Sequence, residues 1–137
     1  MNSIQITHAK HSKLKSTDFK NLGFGKFFSD HMLICDYKFG VWGAPEIVPF
    51  EAISLMPSSK IFHYGQSIFE GMKAYKDKNS NTWLFRPEEN FKRLNKSAER
   101  LAIPQLPKNI FFEGLIKLLN IDNDWIPSAE GSSLYIR

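Results

Sequence analysis

The amino-acid sequence predicts an α+β domain: a mainly antiparallel sheet with two helices packed on it. Three observations carry that expectation. Short β-rich runs between His31 and Phe85 are separated by glycine, proline and polar turn clusters rather than by helices. The polar cluster Asp77-Lys78-Asn79-Ser80-Asn81 stands between two strand-like runs, Met72 to Lys76 and Thr82 to Phe85, which makes a hairpin. Beyond the hairpin, apolar residues recur at helical spacing in two successive segments.

Taken in order, residues 1–22 show little periodicity and many polar side chains, so a loosely structured arm is expected there, followed by the domain over residues 23–137. The run from His31 to Tyr37 is β-rich, and Gly40, Gly43 and Pro45 punctuate the antiparallel strands expected after it. Ile47-Val48-Pro49-Phe50 reads as a short edge strand, because proline removes a donor from a ladder. Ile53 to Met56 and Lys60 to Phe62 read as further extended pieces around Pro57-Ser58-Ser59. Pro87 suits the first turn of a helix, and Glu88 and Glu89 suit its positive end. Phe91, Leu94, Ala98 and Leu101 then form an apolar stripe, which Pro104 ends. A second helix is expected from about Lys108 to Asn120, burying Phe111, Leu115, Leu118 and Leu119. Asp122 to Gly131 reads as loop, and Ser132 to Arg137 as a strand.

The chain of 137 residues is long enough for one real core. With 42% hydrophobic and 23% charged residues, it has the make-up of a globular protein rather than a disordered or membrane-spanning one. No apolar run approaches the roughly 18 residues of a spanning helix, and the N-terminus lacks a secretory apolar region, so a cytoplasmic location is expected. The net charge of +4 is not a nucleic-acid signal: Lys10, Lys13, Lys15 and Lys20 against Asp18 place most of it in the arm. Cys35, the only cysteine, excludes an intramolecular disulfide or a multi-cysteine metal site. Its apolar neighbours Met32-Leu33-Ile34 suggest a buried, inert thiol. None of the four histidines has metal-ligand spacing around it, so no metal is expected.

The most informative stretch runs from Phe62 to Tyr75. Gly65 and Gly71 bracket a segment that cannot be a regular strand, since glycine there marks a bend or a close approach to the backbone. The wording His63-Tyr64-Gly65-x-x-x-Phe69-Glu70-Gly71 resembles the signature near the start of branched-chain amino-acid aminotransferases, pyridoxal-phosphate (PLP) enzymes of fold type IV. Three further blocks agree in the same order: Phe24-Gly25 with Asp30-His31-Met32, Phe85-Arg86-Pro87 with Arg93-Leu94, and Ser133-Leu134-Tyr135-Ile136-Arg137. The match runs from about Phe24 to the last residue.

Arg93 lies on a polar face of the first helix with Asn90, Ser97 and Arg100, and its fork of permanently charged donors matches phosphate geometry. On that pattern alone it reads first as a solvated surface arginine. The resemblance implies that it binds the cofactor phosphate. Phe24, Tyr64 and Phe69 match aromatics that wall the substrate side-chain pocket, where apolar enclosure discriminates by roughly 1–3 kcal/mol per methylene. Tyr135 and Arg137 alternate along the last strand and share a side. The resemblance implies that they hold the substrate carboxylate end and admit a second carboxylate such as that of glutamate.

No catalytic residue is expected in this chain. In the family, proton transfer belongs to a Schiff-base lysine in a large second domain, so Glu70 and His63 receive no acid–base role and no lysine here matches. The resemblance therefore implies the small N-terminal domain of a longer enzyme, inactive alone. Its full-length form would exchange an amino group between leucine, isoleucine or valine and 2-oxoglutarate, as a homo-oligomer without nucleic-acid or membrane partners. Alternatives are another fold type IV enzyme, such as D-amino-acid aminotransferase or aminodeoxychorismate lyase, or a non-catalytic binding module.

Overall fold

In the computed structural model, which describes residues 4–137, the chain runs through β1 (Gln5–Ile6), β2 (His31–Ile34), β3 (Tyr37–Lys38), β4 (Val41–Trp42), β5 (Glu46–Pro49), α1 (Lys60–Tyr64), β6 (Met72–Lys76), β7 (Thr82–Leu84), α2 (Pro87–Arg100), α3 (Lys108–Ile121) and β8 (Leu134–Ile136). The expected α+β class holds, with the strands divided among three small sheets of order β1-β5-β2, β3-β4 and β7-β6-β8. Every pairing is antiparallel except that of β1 with β5. No helix among the described residues is long and apolar enough to cross a membrane.

The β6–β7 hairpin forms where the polar cluster predicts it, and Asp77 holds its turn. The Asp77 carboxylate accepts the N–H groups of Asn79 and Asn81, the Asn81 side-chain amide and the Trp83 Nε1–H, all within 2.8–3.0 Å. These donors, the Trp83 bond foremost, hold the carboxyl at about 2, well below its ordinary 3.8. Helix α2 begins at Pro87 as expected; the preceding Arg86 turns the chain with a left-handed φ of 50°.

Helix α3 joins the two larger sheets. Its Phe111, Leu115 and Leu119 form the core with Ala74 of β6 and with Ile126, flanked by Met72, Leu84, Leu94 and Leu134. Toward β2 it presents Gly114, against which Leu33 packs so closely that a Cβ would overlap the leucine methyl. The glycine lets sheet and helix approach at a spacing that no side chain permits.

Several sequence expectations change. The arm is not loose where it is described: Ile4 is buried, β1 adds to β5, and the Thr7 N–H donates to Ile47 O at 2.8 Å. Asp30 fastens it by accepting the Lys13 N–H at 3.0 Å and the Ser12 hydroxyl at 2.5 Å, and His31 Nε2 accepts the Ala9 N–H at 3.0 Å. Strand β5 is accordingly central rather than an edge. Pro49 is its last residue, and Phe50 N–H continues the pairing to Asp30 O at 2.8 Å. Lys60–Tyr64 is a helical turn closed by Gly65 at φ 59°, and Ile53 to Met56 form no strand. Finally, the expected loop after Asp122 supplies two core residues, Trp125 and Ile126. Leu101 lies beyond the end of α2 and is exposed, Leu118 is only partly buried, and Cys35 is half-buried with burial raising its thiol pKa.

Candidate functional site

The alternation of side chains along β6 divides the sheet into two unlike faces. Met72 and Ala74 turn toward α3, whereas Lys73 and Tyr75 turn outward. Tyr135 stands opposite Lys73 on β8, and Trp83 stands opposite Tyr75 on β7. The outward face and the first turns of α2 enclose an open cleft of about 380 Å³, lined by Lys73, Tyr75, Phe85, Arg86, Glu89, Asn90, Arg93 and Tyr135 among others.

Arg93 projects from α2 with most of its side chain in solvent, yet its orientation is fixed from below. Its Nε–H donates to Glu70 Oε2 at 2.8 Å and its Nη2 to Glu70 Oε1 at 2.5 Å. The Glu70 side chain is only 8% exposed against 64% for Arg93. Glu70 is itself held by the Gly71 N–H at 2.8 Å and by the Asn90 side-chain amide at 3.1 Å, which also donates to Gly71 O at 3.0 Å. The Arg93 bonds hold the Glu70 carboxyl below its usual range although burial opposes this, and Glu70 in turn raises Arg93. Both groups stay charged across the physiological range.

Gly71 is required by a close approach. A Cβ there would overlap the Tyr135 hydroxyl and stand 2.9 Å from two ring carbons. Phe24 packs on the opposite end of the chain against that same tyrosine, with ring centroids 5.2 Å apart. Of the residues singled out in the sequence, Arg93 and Tyr135 thus share the cleft and Phe24 borders it through Tyr135. Tyr64, Phe69 and Arg137 are exposed and do not line it. Lys73, Tyr75, Phe85 and Arg86 receive no site role from the sequence, although the period-two pattern of β6 marks the first two. Glu70, given no acid–base role from the sequence, has its part as the partner of Arg93, which no local signal shows because the two lie 23 positions apart. Among the described residues, no three His, Cys, Asp or Glu side chains converge as a metal site.

An arginine fork, a lysine and a second arginine around an aromatic floor suit a small anionic ligand with a flat ring. No family model matches the chain. Curated relatives do. Branched-chain-amino-acid transaminase 1 of Bacillus subtilis is 46% identical over 121 residues, covering 88% of this chain and 34% of the relative. Branched-chain-amino-acid aminotransferase 2 of the same organism is 46% identical over 135 residues, covering 98% of this chain and 36% of the relative. The branched-chain-amino-acid aminotransferase of Mycolicibacterium smegmatis is 47% identical over 119 residues, covering 85% of this chain and 32% of the relative. The chain is therefore part of an aminotransferase lineage. More narrowly, it belongs to the branched-chain aminotransferase family, and it spans about a third of the length of the curated relatives it matches.

Proposed function

We propose that the full protein carrying this chain is a PLP-dependent branched-chain aminotransferase, moving an amino group between leucine, isoleucine or valine and 2-oxoglutarate. The observation that carries this reading is the buttressed Arg93 in a cation-lined cleft, in a chain nearly half identical to enzymes named for that activity. In this reading residues 23–137 are the small domain, and a large domain outside this chain supplies the catalytic lysine. The protein works in the cytoplasm as a homo-oligomer. Support for a partner surface is the run of exposed apolar side chains Ile53, Leu55, Met56, Phe62, Tyr64 and Phe69.

The residues present fit a phosphorylated pyridine. Arg93 would hold the phosphate, with Lys73 and Arg86 adding positive charge and Tyr75 and Phe85 an apolar border. When bound, PLP supplies the electron sink that lets the substrate α-carbon lose its proton and pass on its amino group. The chain's own contribution is binding and enclosure. Tyr135 and Arg137 would meet the substrate carboxylate end, and Phe24, Tyr64 and Phe69 would exclude water from the branched side chain once the rest of the protein folds them inward.

The test is an absorbance titration of the full-length protein with PLP, followed by leucine and 2-oxoglutarate. A cofactor band that responds to leucine, and a cofactor affinity lowered at least tenfold by Arg93→Ala, support the reading. Absence of any cofactor band refutes it. A band that ignores leucine but answers a D-amino acid moves the assignment to another fold type IV enzyme.

A further inference from the structure

A guanidinium has two edges on which it can offer a pair of parallel N–H groups. In Arg93 the edge formed by Nε and Nη2 is taken by the two Glu70 oxygens. The other edge, formed by Nη1 and the remaining Nη2 proton, makes no hydrogen bond among the described residues, and the side chain lines the cleft. One carboxylate thus consumes one fork and leaves the second turned outward.

We infer that Glu70 is a positioning residue for anion binding: it locks Arg93 in the rotamer that presents its free fork to a phosphate in the cleft. The inference rests on the aminotransferase reading for the identity of that phosphate. A long, two-thirds exposed arginine ordinarily samples many rotamers, and ordering it on binding costs affinity. Here the ordering is done in advance by an almost buried carboxylate that cannot follow the arginine outward. Glu70 is tied to its own neighbour Gly71, and through Asn90 to α2 one turn before Arg93. Gly71 in turn lies under Tyr135, so strand β8 helps to fix the anchor. The Glu70–Arg93 pair is neutral together, and Glu89, which also lines the cleft, is paired with Lys92 at 2.8 Å, which leaves Lys73 and Arg86 to attract the anion and Arg93 to orient it.

Glu70→Gln tests this with little change of shape. Its amide oxygen still accepts from Gly71 and Asn90, but its NH2 group opposes the Arg93 Nε–H and breaks the fork. In the full-length protein, the PLP dissociation constant should rise about tenfold in Glu70→Gln. Binding of pyridoxal, which lacks the phosphate, should be unchanged. In an Arg93→Ala background the same Glu70→Gln change should have no further effect on PLP, because its route of action is gone. A thermal midpoint within a few degrees of the parent certifies the fold, and Glu70→Asp, which keeps the charge on a shorter stem, should recover part of the affinity.

Loss of PLP and pyridoxal affinity alike would overturn the inference, since it marks general damage. Equal losses from Glu70→Gln with and without Arg93 would overturn it too. If Arg93→Ala weakens PLP while Glu70→Gln does not, this inference fails and the aminotransferase reading stands. If the parent protein binds no PLP, both fall together.

Discussion

Replacing Gly71 with alanine isolates the contact between the β6 entry and Tyr135. The glycine has no left-handed φ, so the backbone accepts alanine without strain and the whole penalty is steric. The new methyl would overlap the Tyr135 hydroxyl and sit 2.9 Å from Cε2 and Cζ, which forces the ring to swing or β8 to shift. Overpacking of this kind costs about 1–3 kcal/mol. Alanine also narrows the unfolded ensemble, a gain of about 0.4–1 kcal/mol. The half-buried ring can move, which favours the lower part of the range, so the net loss expected is about 1 kcal/mol. Equilibrium urea unfolding reads it directly from the midpoint at constant slope. In a Tyr135→Ala background the steric part disappears, and Gly71→Ala should become neutral or slightly stabilising. A loss of the same size in both backgrounds would refute the reasoning, because the penalty would then have nothing to do with Tyr135.

Gly114→Ala sets helix propensity against packing: alanine gains about 1 kcal/mol inside a helix, but its methyl would collide with Leu33, whose second methyl stands at 3.1 Å. The collision should win by about 1 kcal/mol, and Leu33→Val should relieve it; a stabilised single variant in thermal melts would show that α3 has slack against β2. Asp77 gives the sign of an acid response. Its folded pKa of about 2 lies below the ordinary 3.8, so its contribution is complete above about pH 4 and is lost as pH falls through 2. Asp30 and Glu70 are lowered as well, Asp30 against its own burial and through its bonds from Ser12, Lys13 and Trp125, so they add to the same acid loss. Asp77→Asn should therefore reduce the stability difference between pH 6 and pH 2 measured by urea unfolding, and an unchanged difference would remove Asp77 from the account.

Local signals carried the parts of the fold that are local. The Asp77–Asn81 cluster, Pro87 with its two glutamates, and the Phe111–Leu115–Leu119 stripe each declare an element within a dozen residues, and each stands where expected. What failed depends on partners far away in the chain. Pro49 looked like an edge marker because nothing near it reveals that the arm pairs on the other side of β5. The arm looked loose because its fastenings are single polar bonds to Asp30 and His31, about 20 positions on, which leave no periodic trace. Trp125 sits in a polar segment, yet it is buried and donates its Nε1–H to Asp30 at 3.0 Å. A local signal also misread was the Ser59-to-Gly65 frame of α1, a start and a left-handed stop around five residues. The site follows the same division. Arg93 could be placed on the polar face of α2 from spacing alone, whereas its bond to Glu70 belongs to tertiary structure.

The two faces of β6 tie folding accuracy to the proposed ligand site. Because neighbouring residues point to opposite sides, a pairing error of one position against β7 or β8 would drive Lys73 or Tyr75 toward α3 and turn Ala74 out into the cleft. Such a slip would lose the core and the proposed anion site at one stroke, and no intermediate register would keep either. A molecule with the sheet mispaired is therefore unstable as well as without the proposed site, so quality control that removes poorly folded chains also removes the ones in which that site cannot form.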